Sequence, residues 1–177
     1  MKSSIEVRKI DIRELDVDAI VNAANSQLLQ GGGVCGSIFS KAGSKELSEA
    51  CADIGGCETG GAVITPGFNL SAEHIVHAVG PVWQGGNNSE AELLYSTYEQ
   101  SLVLAKENGC HSIGFPVISS GIYGYPKVQA WEIAVQACKD FIDDNSDYPI
   151  EIIFAVLSEE SKDMGERTID DMTKNDV

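Results

Sequence analysis

Basic side chains are scarce in this chain. Only 12 Lys and Arg stand against 27 Asp and Glu, giving a net charge of −15 and a pI of about 4.4. Such a surface repels a polyanion and argues against a general nucleic-acid coat. Much of the negative charge falls late, from Asp140, Asp143, Asp144 and Asp147 through Glu159, Glu160 and Asp163 to Asp170, Asp171 and Asp176. It reads as a solvated acidic face with a frayed tail. Long apolar runs are missing too: none approaches the roughly 18 residues that cross a bilayer. The opening stretch MKSSIEVRKIDI carries charge every few positions and holds no apolar signal core. A cytoplasmic protein with no membrane partner is expected.

Paired cysteine motifs are absent. The five cysteines, Cys35, Cys51, Cys57, Cys110 and Cys138, are odd in number, irregular in spacing and form no C-x-x-C. That pattern fits reduced thiols rather than a disulfide framework or a structural zinc site. The two histidines of HIVHAV, His74 and His77, lie three apart in a strand-like segment and so point to opposite faces. No metal and no cofactor is expected.

What the chain does have is a regular alternation of strand and helix signals. IEVRK alternates and reads as a first strand, Ile5 to Lys9, followed by a helical turn in DIREL. AIVNA, HIVHAV, SIGFPVI and IEIIFAVL are apolar runs of the kind buried on both faces of a sheet, and AVITP is a further strand. Between them lie helices. Val34 to Ala42 is short, and Ser44 caps a second that runs to about Ile54. Ser89 and Glu92 form a capping box that opens a long helix with a stripe of Leu94, Tyr98, Leu102 and Ala105. Pro126 is the first residue of another, whose stripe is Trp131, Ala134, Val135, Cys138, Phe141 and Ile142. A polar acidic helix or tail follows from about residue 158. One domain over 1–177 is expected, an α/β three-layer α/β/α sandwich around a mostly parallel mixed sheet.

Glycine is plentiful, and it clusters at two places where a buried strand gives way to a helix. One loop is Ala24 to Gly33, with three glycines in QGGG; the other is ISSGIYGYP, Ile118 to Pro126. Glycine lets backbone amides approach a ligand with no Cβ in the way. The helix behind each loop adds unpaired N–H groups and a positive dipole end. Two such loops beyond the carboxyl ends of parallel strands can hold a diphosphate without any basic side chain. Neither is a Walker motif, since no Gly-Lys-Ser/Thr follows the glycines. Nor is there a dinucleotide fingerprint completed by an acidic residue at the next strand.

At this point the sequence resembles the macrodomain family, in its MacroD-type branch, known also for Appr-1-p processing. The matching stretches are DAIVNAANSQLLQGGGV, GGCETGGAVITPGFNL, HIVHAVGPVW and FPVISSGIYGYP, in family order over Ile5 to Leu157. The resemblance implies ADP-ribose as ligand, free or on an ADP-ribosylated protein. It also implies a hydrolase of mono-ADP-ribosyl esters or of O-acetyl-ADP-ribose. It implies that Asp11 and the Ile12 amide meet the adenine. It gives the diphosphate and distal ribose to Gly32, Gly33 and Val34, and the other side of the diphosphate to Ser120, Gly121, Ile122, Tyr123 and Gly124. Asn25 is placed at the distal ribose, and Leu157 beside the adenine where related chains often carry a ring. Asn22, His77 and Trp83 read as packing or strand-end residues. In hydrolytic members GGGGVDG carries an aspartate at the position of Cys35. A thiol with an ordinary pKa near 8.5 is a poor substitute for a carboxylate base. Asn25 and Cys35 are therefore the candidate catalytic residues of a weak hydrolase, and a reader that binds without turnover is the competing expectation.

Overall fold

The computed structural model describes residues 1–174; Asp176 and the rest of the expected tail lie outside the described residues. Six strands form one mixed sheet in the order β1-β6-β5-β2-β4-β3. They are β1 Ser4–Lys9, β2 Ala19–Ala23, β3 Ala62–Pro66, β4 His74–Ala78, β5 Ser112–Phe115 and β6 Glu151–Val156. All pairings are parallel except β3 with β4, at one edge. Among the described residues five α-helices accompany the sheet: α1 Gly33–Ala42, α2 Ser44–Ile54, α3 Glu90–Glu107, α4 Lys127–Asp144 and α5 Glu159–Lys174. DIREL forms a single 3-10 turn, Ile12–Glu14. No helix among the described residues is long and apolar enough to cross a membrane.

Alternation along the strands divides the core into two faces. Ala19, Val21, Val76, Phe115 and Phe154 point to the side covered by α3 and α4, with Met164 and Met172 of α5 at its edge. Ile20, Ile75 and Ile153 point to the side covered by α1 and α2. The stripe residues Leu94, Tyr98, Leu102, Ala105, Trp131, Ala134, Val135 and Cys138 are all buried.

Four helix starts differ from the sequence reading. Ser89 makes no side-chain cap and sits in the left-handed region at φ 59°. The next residue does the capping instead. The Glu90 carboxylate accepts from the amides of Gln84, Gly86 and Asn88 at 2.8, 2.9 and 2.6 Å. The loop before α3 folds back over the helix end, so its own amides need an acceptor there. Ser44 is the first residue of α2 rather than its cap. The chain reverses at Gly43, φ 115°, which leaves no extended position for a serine. Pro126 caps α4 with an extended ψ of 126°, one residue ahead of the helix. The glycine-run helix begins at Gly33, one residue earlier than expected.

Asn22 and His77 are wholly buried neighbours on β2 and β4. Asn22 Nδ2 donates to His77 Nδ1 at 3.2 Å. The ring proton therefore lies on Nε2, which donates to Thr65 Oγ1 at 2.9 Å; Thr65 in turn donates to the Pro66 carbonyl at 3.1 Å. The network ties β2, β4 and β3 together. Burial pushes the His77 pKa down from 6.5 to about 4. An unfolded chain takes up this proton below pH 6.5, and the fold refuses it until about 4. Stability therefore falls as pH drops through that window and is unaffected by this group above it. The loss reaches about 3 kcal/mol. Urea unfolding at pH 7.5 and 4.5 should show this loss in the native chain and a smaller one in His77→Gln. Equal losses in the two proteins would refute the assignment.

Candidate functional site

The parallel register sets the site. β1, β6, β5 and β2 are consecutive in the sheet and run the same way, so their carboxyl ends share one edge. Asp11 and Ile12 follow β1, and Leu157 follows β6. Residues 118–126 follow β5 and residues 24–33 follow β2. A cavity of about 280 Å³ opens at this edge, lined by Asp11, Ile12, Arg13, Val34, Pro116 and Leu157, with Gly33 at its rim. A larger cavity of about 860 Å³ lies between α3, α4 and α5, lined by residues such as Tyr95, Val128 and Met164. No strand end or glycine loop reaches it, so it is a groove between helices.

The first loop is knitted around Asn25. Its Oδ1 accepts from the amides of Gln27 at 3.2 Å and Leu29 at 3.0 Å, and its Nδ2 donates to the Leu29 carbonyl at 2.9 Å. Buried Leu28, at φ 58°, anchors the turn. The Cys57 amide donates to the Ser26 carbonyl at 2.9 Å from outside the loop. In this arrangement the side chain of Asn25 holds its own turn. Beyond it the glycines are exposed, and the amides of Gly32, Gly33 and Val34 have no partner among the described residues. α1 carries no side-chain cap and no acidic residue in its first turn. The end is open to an anion.

Gly36 proves as important as the run before it. A Cβ there would overlap the Gly31 carbonyl oxygen. Cys35 lies between, half-buried on the first turn of α1, with its Sγ 4.0 Å from the Leu29 carbonyl.

The second loop is built the same way. The Tyr125 amide donates to the Ser119 carbonyl, and Gly124 to Gly121, closing two turns at 2.9 and 3.0 Å. Ser120 Oγ donates to the Val117 carbonyl at 2.8 Å. The Trp83 amide donates to the Tyr123 carbonyl at 2.8 Å, and the rings of Trp83 and Tyr125 lie 4.7 Å apart. Buried Tyr98 supports the base, its hydroxyl accepting from the Ile118 amide at 2.9 Å. The amides of Gly121, Ile122 and Tyr123 have no partner among the described residues, and Ile122 is 94% exposed. α4 likewise carries no side-chain cap.

Asp11 is the candidate whose setting differs most from expectation. It caps the 3-10 turn and is gripped by the Arg13 guanidinium, with Nη2 2.6 Å from Oδ2. That hydrogen bond and the adjacent charge hold its carboxyl below the ordinary carboxylate range.

The structure thus brings Asp11, Ile12, Gly33, Val34 and Leu157 around one cavity. Asn25, Gly32 and Cys35 lie on the loop and helix turn beside it. Ser120 to Gly124 lie on the neighbouring loop. Gly36, Gly80, Arg13 and Ser119 were not singled out from sequence. Gly80 leaves no room for a Cβ, which would overlap the Ser119 hydroxyl. Ser119 is buried at φ 67° with its hydroxyl unpartnered. Nothing in a serine or an isolated glycine signals such a packing constraint.

The profile of the Macro domain family matches residues 21–134. The chain belongs to the macro domain family. An O-acetyl-ADP-ribose deacetylase from Salmonella newport is 50% identical over 165 residues, covering 91% of both chains. The structure of the Oceanobacillus iheyensis macrodomain with ADP superposes with a TM-score of 0.92 at 34% identity, covering 98% of this chain and 94% of that one. The Trypanosoma brucei macrodomain in complex with ADP-ribose superposes with a TM-score of 0.86 at 37% identity, covering 93% of this chain and 68% of that one. Within this macro domain the mixed sheet and the paired glycine loops sit as in a three-layer sandwich. The acidic helix α5 packs on α4 and β1 at the far side of β6 from β5.

Proposed function

We propose that this macro domain binds ADP-ribose and hydrolyses O-acetyl-ADP-ribose or mono-ADP-ribosyl esters slowly. The observation that carries the reading is the set of unpartnered amides, Gly32, Gly33 and Val34 on one loop and Gly121, Ile122 and Tyr123 on the next. They stand at the ends of adjacent parallel strands, β2 and β5. Two fans of N–H donors, each backed by an uncapped helix, suit a diphosphate. The apolar cavity at the ends of β1 and β6 then takes the adenine, between Ile12, Val34 and Leu157. On this reading the distal ribose lies by the loop and helix turn that carry Asn25 and Cys35. An ADP-ribosylated protein is a fitting partner, since the loop residues Leu29 and Ile122 are exposed beside the site. A cytoplasmic setting suits five unpaired cysteines.

Cys35 favours the second reading, a module that binds without turnover. Titration calorimetry with ADP-ribose, followed by assay of acetate release from O-acetyl-ADP-ribose, separates the two. Binding at one site with slow release supports the proposal. Binding with no release leaves a reader, and no heat removes the site.

A further inference from the structure

Arg13 lines the cavity at the ends of β1 and β6. Asp11 Oδ1 accepts from the Arg13 amide at 3.0 Å and from Arg13 Nε at 3.0 Å. Oδ2 accepts from Nε at 3.1 Å and from Nη2 at 2.6 Å. An ionised carboxylate offers about four lone-pair positions, and three Arg13 N–H groups are directed at them, so Arg13 occupies most of the accepting capacity of Asp11. The guanidinium has donors to spare, because its Nη1 makes no hydrogen bond among the described residues. Its side chain is 31% exposed, and that of Asp11 37%.

A base entering this cavity thus meets guanidinium N–H groups where a free carboxylate would otherwise stand. Adenine presents an amino donor at its 6-position; a 6-oxopurine presents an acceptor there, which arginine recognises well. Donor against donor leaves both unpaired in a partly dry cavity, which is unfavourable. We infer that Arg13 sets base selectivity, relaxing the preference for adenine by screening Asp11 and presenting donors to the 6-position. The inference rests on the nucleotide-sugar reading of the site.

Calorimetry on the full chain with ADP-ribose, ADP and IDP tests it. In the native protein IDP binds within about fivefold of ADP. In Arg13→Met and Arg13→Thr the freed Asp11 carboxylate accepts from the adenine amino group and repels the 6-oxygen. The ratio in favour of ADP then widens at least a further fivefold, or about 1 kcal/mol. Two variants are used so that one with a lowered melting temperature does not decide the matter. A ratio that stays level or narrows in variants that still bind ADP overturns the role of Arg13 while leaving the site intact. No heat with ADP-ribose in the native chain overturns the site reading and the inference together.

Discussion

Cys35→Asp raises the rate of acetate release from O-acetyl-ADP-ribose by about 10²-fold, the scale on which one general base acts. Cys35 lies on the first turn of α1, behind the exposed glycines. A carboxylate at that point has the helix N-terminus behind it, which favours an anion. It adds two oxygens with which to orient a water, where the thiol has a single proton. Backbone geometry need not change, because the Asp Cβ replaces the Cys Cβ. Cys35→Ala should match the native rate within about threefold if the thiol only packs against the loop. A fall of more than tenfold in Cys35→Ala would show the sulfur takes part in the chemistry. No gain in Cys35→Asp, with ADP-ribose binding retained, would mean that the loop around Asn25 rather than the missing carboxylate limits the rate.

Gly36→Ala weakens ADP-ribose binding by at least tenfold and slows turnover by about 10²-fold, as expected when reacting groups are misplaced by a fraction of an ångström to one ångström. The added methyl overlaps the Gly31 carbonyl oxygen, a backbone atom that cannot swing aside. Gly31 precedes the amides of Gly32 and Gly33, so the whole fan of donors must shift. Gly32→Ala is the contrast. Its φ of −85° is ordinary and a Cβ there meets nothing within 4 Å, so the fold tolerates it. Circular dichroism should be native-like for both variants, with affinity measured by calorimetry. Equal affinity of Gly36→Ala and the native chain would remove the glycine cradle from the binding site.

Much of the fold was legible because its signals are local. AIVNA and IEIIFAVL read as buried strands since both faces of a parallel sheet are covered, and the stripe through Tyr98 and Leu102 repeats at helical spacing. Helix starts were less legible. A serine three residues before a glutamate predicts a cap, yet whether it caps depends on where the preceding loop goes. At α3 that loop returns its own amides, and Glu90 answers them. Of the site, the glycine loops were visible as composition. Gly36, Gly80 and Ser119 were not, because their roles lie in contacts with residues 5 to 39 positions away in the chain.

Sequence by itself determined the alternating α/β order, the two glycine loops and the cysteine at the position where related hydrolases carry aspartate. The first two follow from residue types at short spacing, which local sterics and periodicity fix; the third is what the resemblance to the family implies. Tertiary structure alone decided that β5 lies beside β2, which sets the two loops at one sheet edge. It also decided that Asn25 turns inward on its own loop and that Asp11 is held by Arg13. These depend on strand order and on competition among hydrogen-bond partners, and neither is written in the spacing of a linear chain.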